Sequence, residues 1–279
     1  MPKASDCTIL CIILLNVMLD GGVSLTAKGR SGLIKSLRGV NPEDRLQRLR
    51  KLGSQKTPLS AGKTTSATTN ETANGTLVNG VGSIVDMNRL EGVDEYMLEA
   101  DINLTEEQLE QLEAAVNSSA RRKRQASKTA IKWTNNKVFY YFDPSIGTEM
   151  RGLVAKATHY ISARTCVDFA ENAAAPNRVL IYDGGACNSF VGMIGGEQPM
   201  SLTGGCNAMG IVAHEFTHAL GVWHMQMRND RDQFITLDLT NVPPQSQFNY
   251  DKLTAADIVN YTPYEYGSMM HYDTQSLVL

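Results

Sequence analysis

Residues 214–224, His-Glu-Phe-Thr-His-Ala-Leu-Gly-Val-Trp-His, constrain this 279-residue chain more than any other stretch, and they hold three of its five histidines. His214 and His218 are four apart, so on an α-helix they stand on one face, one above the other. Two imidazoles so placed can reach one tetrahedral metal ion at about 2.0–2.1 Å. Glu215 is turned about 100° from His214. That is a poor position for a third ligand and a good one for a general base acting on metal-held water. Gly221 tolerates φ > 0, so it can end the helix and turn the chain, bringing His224 back to the same ion. Three neutral histidines leave one position open, which marks a catalytic rather than a structural zinc site. One Zn2+ per chain is expected, with its water ionising near neutral pH.

The full pattern H-E-x-x-H-x-x-G-x-x-H is the signature of metzincin zinc proteases. Residues 225–232 (Met-Gln-Met-Arg-Asn-Asp-Arg-Asp) resemble the continuation found in the astacin family, and residues 264–272 (Tyr-Glu-Tyr-Gly-Ser-Met-Met-His-Tyr) resemble the astacin Met-turn. That resemblance implies a secreted zinc metalloendopeptidase with His214, His218 and His224 on the metal and Glu215 as base. It puts Met270 beneath the metal and makes Tyr272 the tyrosine that approaches the zinc and swings to the developing oxyanion. Astacins place Glu directly after the third histidine, where it anchors the new amino terminus; Met225 stands there in this chain and cannot pair with an ammonium group. Residues 98–101 (Leu-Glu-Ala-Asp) resemble the pro-segment motif F-x-G-D, with Leu98 for Phe and Ala100 for Gly. By that likeness Asp101 is a latency switch, a carboxylate in the position water later takes. Residues 187–206 match the astacin stretch that includes the edge strand pairing with an extended polypeptide substrate, and Cys187–Cys206 is the disulfide the match implies.

The start of the chain reads as a targeting segment. Residues 8–19 (TILCIILLNVML) are an apolar run behind Lys3, too short to span a bilayer and right for a signal peptide. Residues 1–24 are assigned to it, with an uncleaved anchor as the lesser alternative because Asp6 interrupts the basic n-region, and no later stretch could span a membrane. The expected location is secreted and extracellular, with no membrane partner. A net charge of −3 and pI near 6.0 give no reason to expect a nucleic-acid partner. Cys7 and Cys11 leave with the signal, so Cys166, Cys187 and Cys206 remain, an odd number in an oxidising compartment.

Residues 25–124 read as a pro-segment. Residues 34–52 are basic and moderately helical, and 53–82 are a Ser/Thr/Gly/Asn-rich linker unable to bury enough apolar surface to order itself. Sequons at Asn70, Asn74, Asn103 and Asn117 are candidate glycosylation sites; a further one at Asn260 is disfavoured by Pro263. Thr105 and Gln108 form a capping box, with Leu104 and Leu109 as staple, before a helix over about 106–117. Arg121-Arg122-Lys123-Arg124 reads as the site of a furin-like processing protease, so Arg124 closes the pro-segment and a catalytic domain occupies 125–279.

That domain begins with a strand over 137–142. A helix follows, burying Ile146, Met150, Leu153, Ala157 and Ile161 and exposing His159. Further strands fall at 166–169 and 178–182. The zinc helix spans about 208–220, with Asn207 as its N-cap and Val212, Phe216 and Ala219 facing the core. The fold class is α+β: an N-terminal lobe with a mixed twisted sheet and two long helices, a zinc cleft, and a mostly irregular C-terminal lobe. The resemblance spans roughly 98–272. Family members continue into a stretch whose cysteine pairs with the one matching Cys166, so the domain reads as C-terminally truncated. A monomer is expected. The alternative function is a catalytically impaired secreted binding protein that keeps this fold.

Overall fold

The computed structural model describes residues 25–54, 83–117, 130–253 and 258–272. The signal-peptide segment, nearly all of the linker, Asn70, Asn74 and the basic run ending at Arg124 lie outside the described residues, as does the side chain of Asn117.

The strands are β1 (Ile102–Asn103), β2 (Lys137–Phe142), β3 (Asp168–Glu171), β4 (Arg178–Tyr182), β5 (Cys187–Phe190) and β6 (Glu197–Leu202), in one sheet of order β1-β5-β6-β4-β2-β3. Every neighbouring pair is parallel except β5 with β6, which is antiparallel with Cys187 opposite Leu202. The described helices are α1 (Ala27–Ser36), α2 (Pro42–Ser54), α3 (Ile84–Leu90), α4 (Glu106–Asn117), α5 (Thr148–Ser162) and α6 (Met209–Ala219).

Helix periodicity explains the main core. Met150, Val154, Ala157 and Ile161 of α5 and Val212, Phe216 and Ala219 of α6 pack with Val138, Val179, Ile181 and Met200 of the sheet. Phe216 meets Phe169 edge to face, with centroids 5.4 Å apart. With that stripe of α6 spent on the core, His214 and His218 point the other way. Cys187 and Cys206 form a disulfide with Cα atoms 5.9 Å apart, worth about 3 kcal/mol in the chain-entropy picture. It ties β5 to the approach of α6. The helix has Ala208, not Asn207, at its N-cap, and no side chain caps it. The tether at Cys206 leaves Asn207 one residue short of the helix start. Cys166 is exposed and unpaired among the described residues, and His159 is exposed as expected.

The N-terminal segment wraps this body. The basic stretch expected to be helical over 34–52 is split into α1 and α2, because Arg38 and Gly39 take φ of +53° and +92° and Pro42 opens the next helix. Gly32 of α1 lies so close to Gly184 that a Cβ on it would come 2.0 Å from the Gly184 carbonyl oxygen. Tyr182 donates to the Gly32 carbonyl (2.8 Å) and lies 2.5 Å from the Ser36 hydroxyl. Two ion pairs of 2.9 Å, Lys28–Asp183 and Lys35–Asp143, flank the contact. Asn88 of α3 is fully buried: it takes the Cys187 N–H (2.8 Å) and donates to the carbonyls of Cys187 (2.7 Å) and Ala100 (2.8 Å). The capping box forms, with Gln108 N–H donating to Thr105 Oγ1 (3.1 Å) and Thr105 N–H to Gln108 Oε1 (2.9 Å). Leu104 and Leu109 are buried with Leu49, Leu52, Val191 and Trp223.

Asn103 departs from its glycosylation reading. It is 1 % exposed, sits in β1 and donates to Asn188 Oδ1 at 2.7 Å. A strand residue whose amide is spent inside the fold has no room for a glycan.

Candidate metal centre

Helix α6 carries His214, Glu215 and His218, all buried. Beyond its C-cap Leu220, Gly221 takes φ +96° and reverses the chain. His224 is thereby brought back to the same face. The three Nε2 atoms lie 2.9 Å (His214–His218), 3.1 Å (His214–His224) and 3.2 Å (His218–His224) apart. Ligands at 2.0–2.1 Å around a tetrahedral ion stand about 3.3 Å apart, so the spacing fits one zinc.

The other ring nitrogens explain the orientation. His214 Nδ1 donates to the Met269 carbonyl (2.6 Å) and His218 Nδ1 to the Val222 carbonyl (2.8 Å). A carbonyl can only accept, so the proton is on Nδ1 and the Nε2 lone pair faces the centre. His224 Nδ1 meets the carboxylate of Glu99.

Asp101 closes the cluster. Its Oδ2 is 3.2 Å from Nε2 of both His214 and His224, and its Oδ1 is 3.9 Å from Nε2 of His218. The four ligand atoms lie within 4.8 Å of one another. Asp101 Oδ1 and both Glu215 oxygens are buried without a hydrogen-bond partner, an arrangement that costs free energy unless a cation or water is served there. Three imidazoles and one carboxylate are a donor set that zinc accepts.

The charges point the same way. Burial and the neighbouring imidazoles hold the His218 pKa well below its ordinary value, so that ring stays neutral. Burial opposes charge on His224, but Asp101 and Glu99 outweigh it and lift its pKa to about 10. A metal ion on Nε2 would take the place of that proton, since a ligating imidazole is neutral. Burial works against an ionised Asp101, and the surrounding imidazoles outweigh it and keep its carboxyl well below the usual range. Glu215 is raised well above its ordinary value, first by burial and then by the charge on Asp101.

Tyr272 packs on His224 with ring centroids 4.9 Å apart, and its hydroxyl donates to the Glu99 carbonyl. Met270 is buried, and its carbonyl accepts from Met225 N–H (2.6 Å), joining the third-ligand turn to the 264–272 loop. Arg228 and Arg231, both nearly fully buried, lock that lobe. Arg228 chelates Asp230 (2.8 Å) and donates to the Thr262 carbonyl (2.9 Å), and Arg231 donates to the carbonyls of Gln226 (2.8 Å) and Tyr250. β1 meanwhile lies along β5, with Ile102 opposite Ser189, over the edge expected to receive a substrate.

Sequence reading missed Glu99, Gln226 and Asn249. Gln226 donates to Glu99 Oε2 (3.2 Å) and accepts from Tyr272 N–H (3.1 Å), and Asn249 accepts from Glu99 N–H (2.8 Å). The one signal for Glu99 was its place two residues before Asp101.

Residues 125–278 match the family model described as Astacin, a peptidase family. Zinc metalloproteinase nas-32 of Caenorhabditis elegans is 39% identical over 252 residues, covering 86% of this chain and 38% of its own. Zinc metalloproteinase nas-17 of the same organism is 40% identical over 177 residues, covering 63% of this chain and 40% of its own. The chain thus spans about two fifths of the length of these curated relatives. Among solved structures, high choriolytic enzyme 1, a hatching-enzyme zinc protease of the medaka fish Oryzias latipes, aligns with a TM-score of 0.49 at 29% identity. That alignment covers 54% of this chain and 76% of that one.

Proposed function

Because the chain belongs to the astacin family of zinc metalloendopeptidases, we propose that it hydrolyses internal peptide bonds of extracellular proteins and is made as a latent, secreted zymogen. The observation that carries this reading is the convergence of three Nε2 atoms and the Asp101 carboxylate on one buried point beside Glu215. His214, His218 and His224 would hold the zinc, which when bound acidifies a water molecule and polarises a peptide carbonyl. Glu215 would serve as the base that accepts a proton from water at this site and as the acid that returns it to the leaving amine. Tyr272 supplies a hydrogen bond to the oxyanion. An extended substrate pairs along the β5 edge by main-chain hydrogen bonds.

Latency follows from what residues 98–103 cover. Asp101 takes the place of the water, β1 takes the substrate's edge, and the Glu99 carbonyl engages the Tyr272 hydroxyl. Residues 25–124 are then the pro-segment, a furin-like protease cuts after Arg124, and 125–279 act as a monomeric catalytic domain. No helix among the described residues is long and apolar enough to cross a membrane.

The test is Glu215→Ala in processed protein. One zinc per chain should be retained, while peptide cleavage falls by about 10²–10⁴, the range of general acid–base catalysis. Undiminished turnover would remove Glu215 from the mechanism. Wild-type protein that binds zinc yet cleaves no peptide would instead favour the binding-protein alternative.

A further inference from the structure

Glu99 belongs to the pro-segment, yet it serves the metal site in a way distinct from Asp101. The chain reverses over residues 99–101, closed by two backbone bonds, Leu98 N–H to the Ile102 carbonyl (3.0 Å) and Ile102 N–H to the Leu98 carbonyl (2.9 Å). Within the turn, Glu99 and Ala100 take φ of +51° and +67°, a conformation that side-chain-bearing residues adopt only where surroundings impose it. Asn249 grips the Glu99 N–H, Tyr272 the Glu99 carbonyl and Asn88 the Ala100 carbonyl. The outcome is that two carboxylates two residues apart meet the two nitrogens of one ring: Asp101 faces His224 Nε2 at 3.2 Å, and Glu99 binds His224 Nδ1. Glu99 is 0 % exposed, and Gln226 Nε2 holds it in place at 3.2 Å.

The other two histidines are oriented differently. His214 Nδ1 and His218 Nδ1 donate to main-chain carbonyls of Met269 and Val222, both within residues 125–279. Only His224 draws its orienting partner from the segment removed on activation. A carboxylate on the far nitrogen of a metal-bound imidazole fixes the ring and makes it a better donor, and loss of such a partner typically weakens metal affinity about 10–100-fold.

We propose that Glu99 is a positioning residue for the third zinc ligand, so that the pro-segment raises the metal affinity of the latent chain through His224 as well as through Asp101. The inference rests on the zinc-site reading above. The unprocessed chain is therefore the form suited to acquiring and keeping the ion while zinc is scarce.

The test uses the unprocessed full chain. Zinc affinity is measured by competition with a chromophoric chelator for wild type, Glu99→Ala, Glu99→Gln and the exposed control Glu110→Gln. Cobalt(II)-loaded samples of each are compared by visible absorption. Glu99→Ala should raise the zinc Kd about 10–100-fold. Glu99→Gln, which keeps the shape and an acceptor but not the charge, should raise it less. Both should shift the cobalt bands, whereas Glu110→Gln should change neither. If Glu99→Ala does not accumulate as folded protein, Glu99→Gln and its cobalt spectrum carry the test. Wild-type zinc affinity and cobalt bands in the Glu99 variants would overturn this inference alone. A wild-type chain that binds no zinc would overturn the metallopeptidase reading with it.

Discussion

The Tyr272 hydroxyl is buried against the Glu99 carbonyl. Burial first, then the charges of Asp101 and Glu99, push its pKa well above the ordinary tyrosine value. These causes belong to residues 99–101, so they describe the hydroxyl of the unprocessed chain, where it is held as a donor to the Glu99 carbonyl. If the freed hydroxyl serves the oxyanion as proposed, Tyr272→Phe in processed enzyme should lower kcat by about 10²–10³ with little change in KM. An unchanged kcat in steady-state assays would exclude the hydroxyl from the reaction. In the unprocessed chain, Asp101→Asn should give peptide cleavage above the wild-type background, because the carboxylate opposite the histidines is gone while residues 125–279 are untouched. Silence in that variant would mean that covering the β5 edge suffices for latency. The histidine cluster was readable from the sequence because 214, 218 and 224 are related by helix period and one glycine turn. Glu99, Asn249 and Gln226 were not, because they meet across 125 or more residues of chain and have no local pattern. The Asn103 sequon misled for the same reason: its tripeptide is local, whereas its burial comes from β5.

At the scale of elements, α1 is held to the sheet by a close approach and two charge pairs. Gly32→Leu cannot fit at 2.0 Å from the Gly184 carbonyl, so α1 should lift. Hydrogen exchange should show lost protection over 27–36 with α6 unaffected, and full protection in that variant would contradict the packing. Lys35 and the Ser145 N–H lower the Asp143 carboxyl to about 2. Only the Lys35 share of that shift depends on α1; it stabilises docking in full while Asp143 is ionised in the undocked chain, and fades as pH falls through about 2. Docking of α1 should thus not respond to this pair between pH 5 and 8. Lys35→Met should raise the Asp143 titration midpoint towards the ordinary value, as followed by carboxyl NMR shifts. Elements with a strong local pattern were legible: β2, β4, α4 and α6 fall within a residue or two of their expected bounds. The break between α1 and α2 was not. Arg38 enters the left-handed region there without being glycine, a choice imposed by where the two helices must dock.

Across the whole molecule, the N-terminal segment is bound as if it were part of the core. Leu33, Leu37, Val93 and Met97 pack with Ala186. Leu49, Leu98, Ile102, Leu104 and Leu109 pack with Val191, Trp223, Met227, Leu253 and Ile258. Each fully buried aliphatic side chain contributes about 1.5–3 kcal/mol, while association costs about 4–15 kcal/mol in lost freedom. Several such side chains, with the Asn88 bonds and the Lys28 and Lys35 ion pairs, are enough to offset that cost without a covalent link. If the chain is cut after Arg124 as proposed, the cut would remove only the effective concentration that the link supplied. The cut pro-segment should therefore stay with residues 125–279 at micromolar concentration, eluting as one species in size-exclusion chromatography. Peptidase activity should rise only on dilution or on further digestion of the pro-segment. On the proposed reading such a complex should also be strengthened by zinc, because Asp101 would face the ion and Glu99 meets His224 Nδ1. Two separate peaks and full activity immediately after the single cut would show that the tether, not this interface, maintains latency.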